Sequence, residues 1–204
     1  LVGIKVVLVH GGGPEISEML KKIGKESKFV KGLRYTDRET MDIVQMILCG
    51  KVNKNLVSLF EKAGGRAVGL GGMDGGLFKA IRLVDPDGTE YGYVGDVKEV
   101  NEKVVLDVLN EGFIPVVSSV AAGMDEETNY NINADTVAAA VAASVEAEKL
   151  ILLTDVEGIK DKDGNVIAEI HKNEIYEIVY CFLHSIKLPS IPLIPTARPP
   201  FVLR

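Results

Sequence analysis

Residues 5–15 read Lys5-Val6-Val7-Leu8-Val9-His10-Gly11-Gly12-Gly13-Pro14-Glu15. The near-continuous apolar run from Val6 to Val9 predicts a strand over residues 5–10 buried on both faces, as in a parallel sheet. Three glycines then let the backbone approach a ligand closely with its N–H groups exposed. Pro14 suits the first turn of a helix, where its missing N–H costs nothing. A strand, a glycine turn and a helix start together make an anion site of the kind phosphates favour. On its own, a glycine triplet after a strand serves equally well as a tight turn. Neither G-x-x-x-x-G-K-[ST] nor G-x-G-x-x-G occurs in the chain, which excludes a P-loop and removes the main support for a dinucleotide fold.

The 204 residues suit one domain with a sizeable core. They are 47% hydrophobic and 25% charged, with no apolar run long enough to span a bilayer and no signal-peptide pattern. A net charge of −6 argues against a general nucleic-acid or membrane-surface binder. Cys49 and Cys181 are lone and distant, which suits a reducing cytoplasm. His10, His171 and His184 form no ligand cluster, so no metal site is expected.

Strand and helix patterns alternate, which predicts an α/β sheet with helices on both faces. A helix over 14–23 leads into a basic stretch (Lys21, Lys22, Lys25, Lys28, Lys31, Arg34) that reads as a solvated face. Thr36-Asp37-Arg38-Glu39 predicts a T-x-x-E capping box. It opens a long helix whose apolar positions (Met41, Val44, Ile47, Leu48, Val52, Leu56, Leu59, Phe60) recur at three and four. Gly50 is expected to bend it and Gly64-Gly65 to end it.

A strand over 66–70, a mobile glycine-dense loop over 69–76 and a hairpin (78–84 with 91–95, turning at Asp85-Pro86-Asp87-Gly88) follow. Next come a helix near 101–111, a buried strand over 113–119 ending in Ser118 and Ser119, and an alanine-rich helix over 134–146. A buried strand over 149–154 and a second hairpin at Asp161-Lys162-Asp163-Gly164 complete the pattern. From about Tyr180 the register changes. Pro189, Pro192, Pro195, Pro199 and Pro200 exclude a helix and a central strand, so 181–204 is expected to be a Pro-rich tail beyond a domain at 1–180.

Three further polar turns fall where α/β sheets place ligands. Arg34, before the capped helix, suits either a bidentate clamp on a carboxylate or a structural role. Asn131, Asn133 and Asp135 form either an N-cap cluster with Asn133 as the cap or part of a binding site. Thr154 to Lys160 is either a simple loop or a ligand-facing turn.

In order along the chain, Val9–Ile16, Gly32–Asp37, Gly50–Lys54, Asn131–Asp135 and Leu152–Gly158 resemble the motifs of the amino-acid kinase family, most closely those of its acetylglutamate kinases. The resemblance covers residues 1 to about 178. It implies a three-layer α/β/α sandwich with a mostly parallel central sheet, the carbamate kinase-like fold, commonly as a homodimer. It implies transfer of phosphoryl from ATP, carrying Mg2+ on its phosphates, to the side-chain carboxylate of N-acetyl-L-glutamate in arginine biosynthesis. By match, Gly12 and Gly13 would hold the transferring phosphoryl and the substrate through backbone N–H groups. Arg34 and Asn131 would bind acetylglutamate. Gly11 and the run Asp155, Val156, Glu157, Gly158, Ile159 and Lys160 would line the nucleotide pocket, and Asp135 would organise the catalytic lysines.

The family also has a Lys-x-Gly-Gly strand before the glycine motif and a Gly-Gly-Met-x-x-Lys segment beyond the second hairpin. Neither stands at the corresponding place in this sequence, and Gly72-Met73-Asp74 lies in an earlier loop. The domain is therefore expected to lack its first strand and its C-terminal part, with impaired turnover. The alternatives are a non-catalytic remnant that binds acetylglutamate or nucleotide, and a sister kinase acting on a related carboxylate.

Overall fold

A computed structural model describes residues 3–124, 127–153 and 165. In chain order come β1 (Leu8–His10), α1 (Gly13–Lys22), β2 (Phe29–Val30), β3 (Leu33–Arg34) and α2 (Arg38–Gln45). A π-helical stretch (Met46–Val52) carries α2 without a break into α3 (Asn53–Lys62). β4 (Ala67–Leu70), β5 (Phe78–Val84), β6 (Glu90–Val100), α4 (Glu102–Asn110), β7 (Ile114–Ser118), β8 (Val120–Gly123), β9 (Asn129–Asn131) and α5 (Ala134–Ser144) follow.

β1, β7 and β4 form a parallel sheet in that order, with Leu8 opposite Val116 and Leu70 opposite Val117. Parallel neighbours need long crossovers, and helices supply them. α3 packs across β4 and β7. Val105 of α4 and Val137 and Val141 of α5 share a core cluster with Val117, Phe78 and Tyr130. A second cluster joins Ile16 and Leu20 of α1 to Met41, Val44, Ile47 and Leu48 of the long helix. Beside the sheet, β5, β6, β9 and β8 pair in a closed ring. The predicted α/β architecture with a parallel sheet is present. The hairpin at Asp85–Gly88 is also present, with its second strand extending to Val100.

Several expectations change. β1 is short, and Val6 is 45% exposed, because among the described residues β1 pairs on one side only, with β7. Thr36 does not cap α2. Its buried hydroxyl donates to the Arg34 carbonyl, and the Asp37 carboxylate takes the Thr40 N–H instead. Leu59, on the predicted apolar stripe, is exposed.

The glycine-dense segment is buried at Gly71 and Gly72 and exposed from Asp74 to Gly76. A Cβ on Gly72 would strike Phe78 and the Val120 carbonyl, and Asp74–Gly76 make a short 3-10 turn. The basic stretch is only partly solvated: Lys25 pairs with Asp37 and Glu39, Lys31 with Asp85 and Asp87, and Arg34 is buried. Residues 149–153 form no strand, and Ile151, Leu152 and Leu153 stand exposed, since no described strand offers them a ladder. The hairpin at 161–164, the Pro-rich tail, His171, His184 and Cys181 lie outside the described residues. No described helix is long and apolar enough to cross a membrane.

Candidate active site

The glycine turn forms where β1 ends. Gly12 is the N-cap of α1 and Pro14 lies in the first turn. Having no side chain, Gly12 makes no capping hydrogen bond, whereas α2 and α5 are capped by Asp37 and Asn133. The first N–H groups of a helix have no partner within it, so the uncapped start of α1 keeps donors for an anion. Gly12 has φ 170°, extended backbone open to any residue, but a Cβ there would stand 2.8 Å from Leu48 Cδ2 and 3.1 Å from Val52 Cγ2. A side chain there would press on Leu48 and Val52 of the π-helical stretch, so glycine gives the closest packing at this point.

The other motif residues converge on this turn. Gly11 lies against the start of α5, since a Cβ on it would sit 3.4 Å from Ala134 Cβ. Two helix N-termini, each the positive end of its dipole, therefore meet at the glycines. Asp135 stands exposed in the first turn of α5, and Asn133 accepts hydrogen bonds from the N–H groups of Asp135 and Thr136, the cap expected of it. Arg34 reaches the turn from β3. Its Nη2 donates to the Gly13 carbonyl (2.9 Å) and Ser17 Oγ (2.8 Å), and its Nη1 donates to Ser27 Oγ (2.7 Å).

At 8% exposure Arg34 is no free surface arginine, and burial pulls its guanidinium below its usual range. Its internal bonds anchor the β2–β3 hairpin to α1 and leave the other guanidinium N–H groups for a ligand. Asn131 Nδ2 donates to Thr36 Oγ1 (3.3 Å), and that hydroxyl donates to the Arg34 carbonyl (3.0 Å). Asn131 is thus linked through Thr36 to the Arg34 backbone, and the Arg34 side chain reaches Gly13. The run Asp155 to Lys160 lies outside the described residues.

Behind the turn is a second network that the motif reading did not assign. His10 Nδ1 lies 2.9 Å from the Gly11 carbonyl oxygen, and its Nε2 lies 3.0 Å from Asn53 Nδ2. Asn53, 1% exposed, also donates to the Val116 carbonyl (2.8 Å) and accepts from Lys54 Nζ (3.1 Å). His10 and Asn53 both fall within segments that resemble the family's motifs, Val9–Ile16 and Gly50–Lys54, but their pairing joins positions remote in sequence. A small polar pocket lined by Arg38, Asp42, Gln45, Glu127, Thr128 and Asn129 opens on the flank of α2, and none of the motif residues lines it.

Residues 1–180 match the amino acid kinase family along with this convergence of motifs. The chain belongs to the amino acid kinase family. Acetylglutamate kinase of Syntrophus aciditrophicus (strain SB) is 49% identical over 188 residues, which is 88% of this chain and 63% of that relative. Acetylglutamate kinase of Clostridium beijerinckii (strain ATCC 51743 / NCIMB 8052) is 48% identical over 194 residues, 95% of this chain and 67% of that relative. Among solved structures, smu.665 from Streptococcus mutans UA159 matches with a TM-score of 0.75 at 34% identity, over 88% of this chain and 71% of that one. This amino acid kinase chain thus spans 63–67% of the length of these two curated relatives.

Proposed function

We propose that the chain is the substrate-gripping part of an acetylglutamate kinase, which moves phosphoryl from ATP to the side-chain carboxylate of N-acetyl-L-glutamate. The observation that carries this reading is the buried Arg34 guanidinium bonded to the Gly13 carbonyl at the glycine turn, with Asn131 linked to the Arg34 backbone through Thr36. Arg34 and Asn131 would bind acetylglutamate, its carboxylate matching the guanidinium N–H groups left over from Ser17, Ser27 and Gly13. Gly12 and Gly13 N–H groups would hold the transferring phosphoryl, with Gly11 and the run Asp155 to Lys160 beside the nucleotide. Phosphoryl transfer needs alignment and cancellation of charge more than covalent help, and two helix starts at one turn supply positive potential there. Mg2+ would enter on the ATP phosphates. Asp135, at the start of α5, would orient cationic side chains rather than attack.

The relatives' names support this substrate, the family resemblance supports a homodimer serving arginine biosynthesis, and the lone cysteines support a reducing cytoplasm. A second reading is a non-catalytic form in which the 204-residue chain binds acetylglutamate or nucleotide without turnover. Calorimetry with N-acetyl-L-glutamate and with MgATP, beside an assay of acetylglutamate-dependent ADP formation, separates the two readings. Binding with turnover supports the kinase and binding alone supports the remnant. Binding of glutamate in preference to its acetylated form would point to a sister kinase, and no binding of either substrate would overturn all three.

A further inference from the structure

Resting on that kinase reading, we propose that His10 is a positioning residue: locked by Asn53, it holds the Gly11 carbonyl so that the Gly12 N–H is turned toward the phosphoryl group. The chemistry of the contacts fixes the tautomer. Asn53 Nδ2 lies 2.8 Å from the Val116 carbonyl, which only accepts, and Asn53 Oδ1 lies 3.1 Å from Lys54 Nζ, which only donates. The amide therefore has one consistent orientation, and Nδ2 donates to His10 Nε2. With Nε2 as acceptor, the ring proton sits on Nδ1 and is donated to the Gly11 oxygen at 2.9 Å.

Gly11 C=O and Gly12 N–H belong to one peptide plane. In a trans peptide they point in opposite directions, and no described peptide bond is cis. Drawing the oxygen toward the imidazole therefore turns the Gly12 N–H away from it. A glycine turn left alone has wide freedom in this plane, so an external hold is what makes it an aligned donor.

The hold is itself built into three elements. Asn53 opens α3, Val116 lies in central β7, and His10 ends β1. β4 makes room with Gly69, where a Cβ would overlap Asn53 Oδ1 and stand 2.6 Å from Lys54 Nζ. A leucine at position 53 would fill similar space with no polar partners to satisfy, so packing alone does not explain the amide. The charged groups facing the network are Glu15 from α1 and Lys54 from α3.

The test uses the 204-residue chain with variants His10→Leu and His10→Asn, the second keeping a donor near the Nδ1 position. Affinities for ATP and ADP are measured by calorimetry, and the ring tautomer of His10 by nitrogen NMR at pH 8. The wild type is expected to prefer ATP over ADP. His10→Leu should lose roughly tenfold of that preference, the worth of one hydrogen bond to a charged group, with ADP binding unchanged. His10→Asn should retain it.

If His10→Leu keeps the preference, or weakens ATP and ADP equally, His10 only packs and the proposal falls while the kinase reading stands. If the wild type binds neither nucleotide, the kinase reading falls first and the proposal with it. Should His10→Leu fail to fold, the NMR decides: an Nδ1–H ring with a retained preference in His10→Asn supports the proposal, and an Nε2–H ring overturns it.

Discussion

At His10, burial holds the imidazole below its ordinary 6.5, against the opposing pull of the Gly11 carbonyl and the Glu15 carboxylate. The unfolded chain therefore takes up this proton at a higher pH than the folded one. The stability that depends on neutral His10 is complete above about pH 6.5 and is lost as the pH falls below that value. Urea midpoints should drop between pH 8 and pH 5.5, and His10→Asn should show a smaller drop; equal drops would show that other groups carry the effect. Asp37 titrates lower. Burial alone would raise its carboxyl, but bonds from Lys25 and Thr40 bring it down to about 2. Its contribution holds above about 3.8 and fades only as the pH falls toward 2. Neither environment was legible in the sequence, because His10 meets Asn53 across the fold and Asp37 meets Lys25 across a loop.

Among the elements, α5 shows what local reading can reach. Its alanines favour helix, and Asn133 was readable as its cap because a cap acts within a single turn. Asn133→Ala should cost about 1 kcal/mol in urea denaturation, since the N–H groups of Asp135 and Thr136 lose their acceptor. A change near zero would mean that water replaces the cap without loss. At α2 the same reasoning chose Thr36 over Asp37, because the sequence does not show that the Thr36 hydroxyl is bound to the Arg34 carbonyl and faces Asn131. The segment 149–153 departs from the predicted strand for a related reason. An apolar run says that a residue suits burial, and only a neighbouring strand makes it buried.

Over the whole molecule, the parallel sheet and the flanking helices were legible because hydrophobic period and glycine turns repeat along the chain. The gathering of Gly11, Gly13, Arg34 and the start of α5 around one turn was not legible from any one segment; the family resemblance placed these residues in one site. Leu153 is 88% exposed, so Leu153→Gln should shift stability by no more than about 0.5 kcal/mol. A larger loss in denaturant melts would show the segment packed against the sheet. The sheet order also has a consequence for synthesis. Leu8 of β1 pairs with Val116 of β7, about a hundred residues downstream. A ribosome adding ~5–20 residues per second needs on the order of 5–20 s to deliver that partner. During this interval β1 has no described strand to join, and the nascent chain carries the glycine turn unsupported. The glycine-turn end of the sheet therefore matures late in translation, after the long helix beside it is already complete.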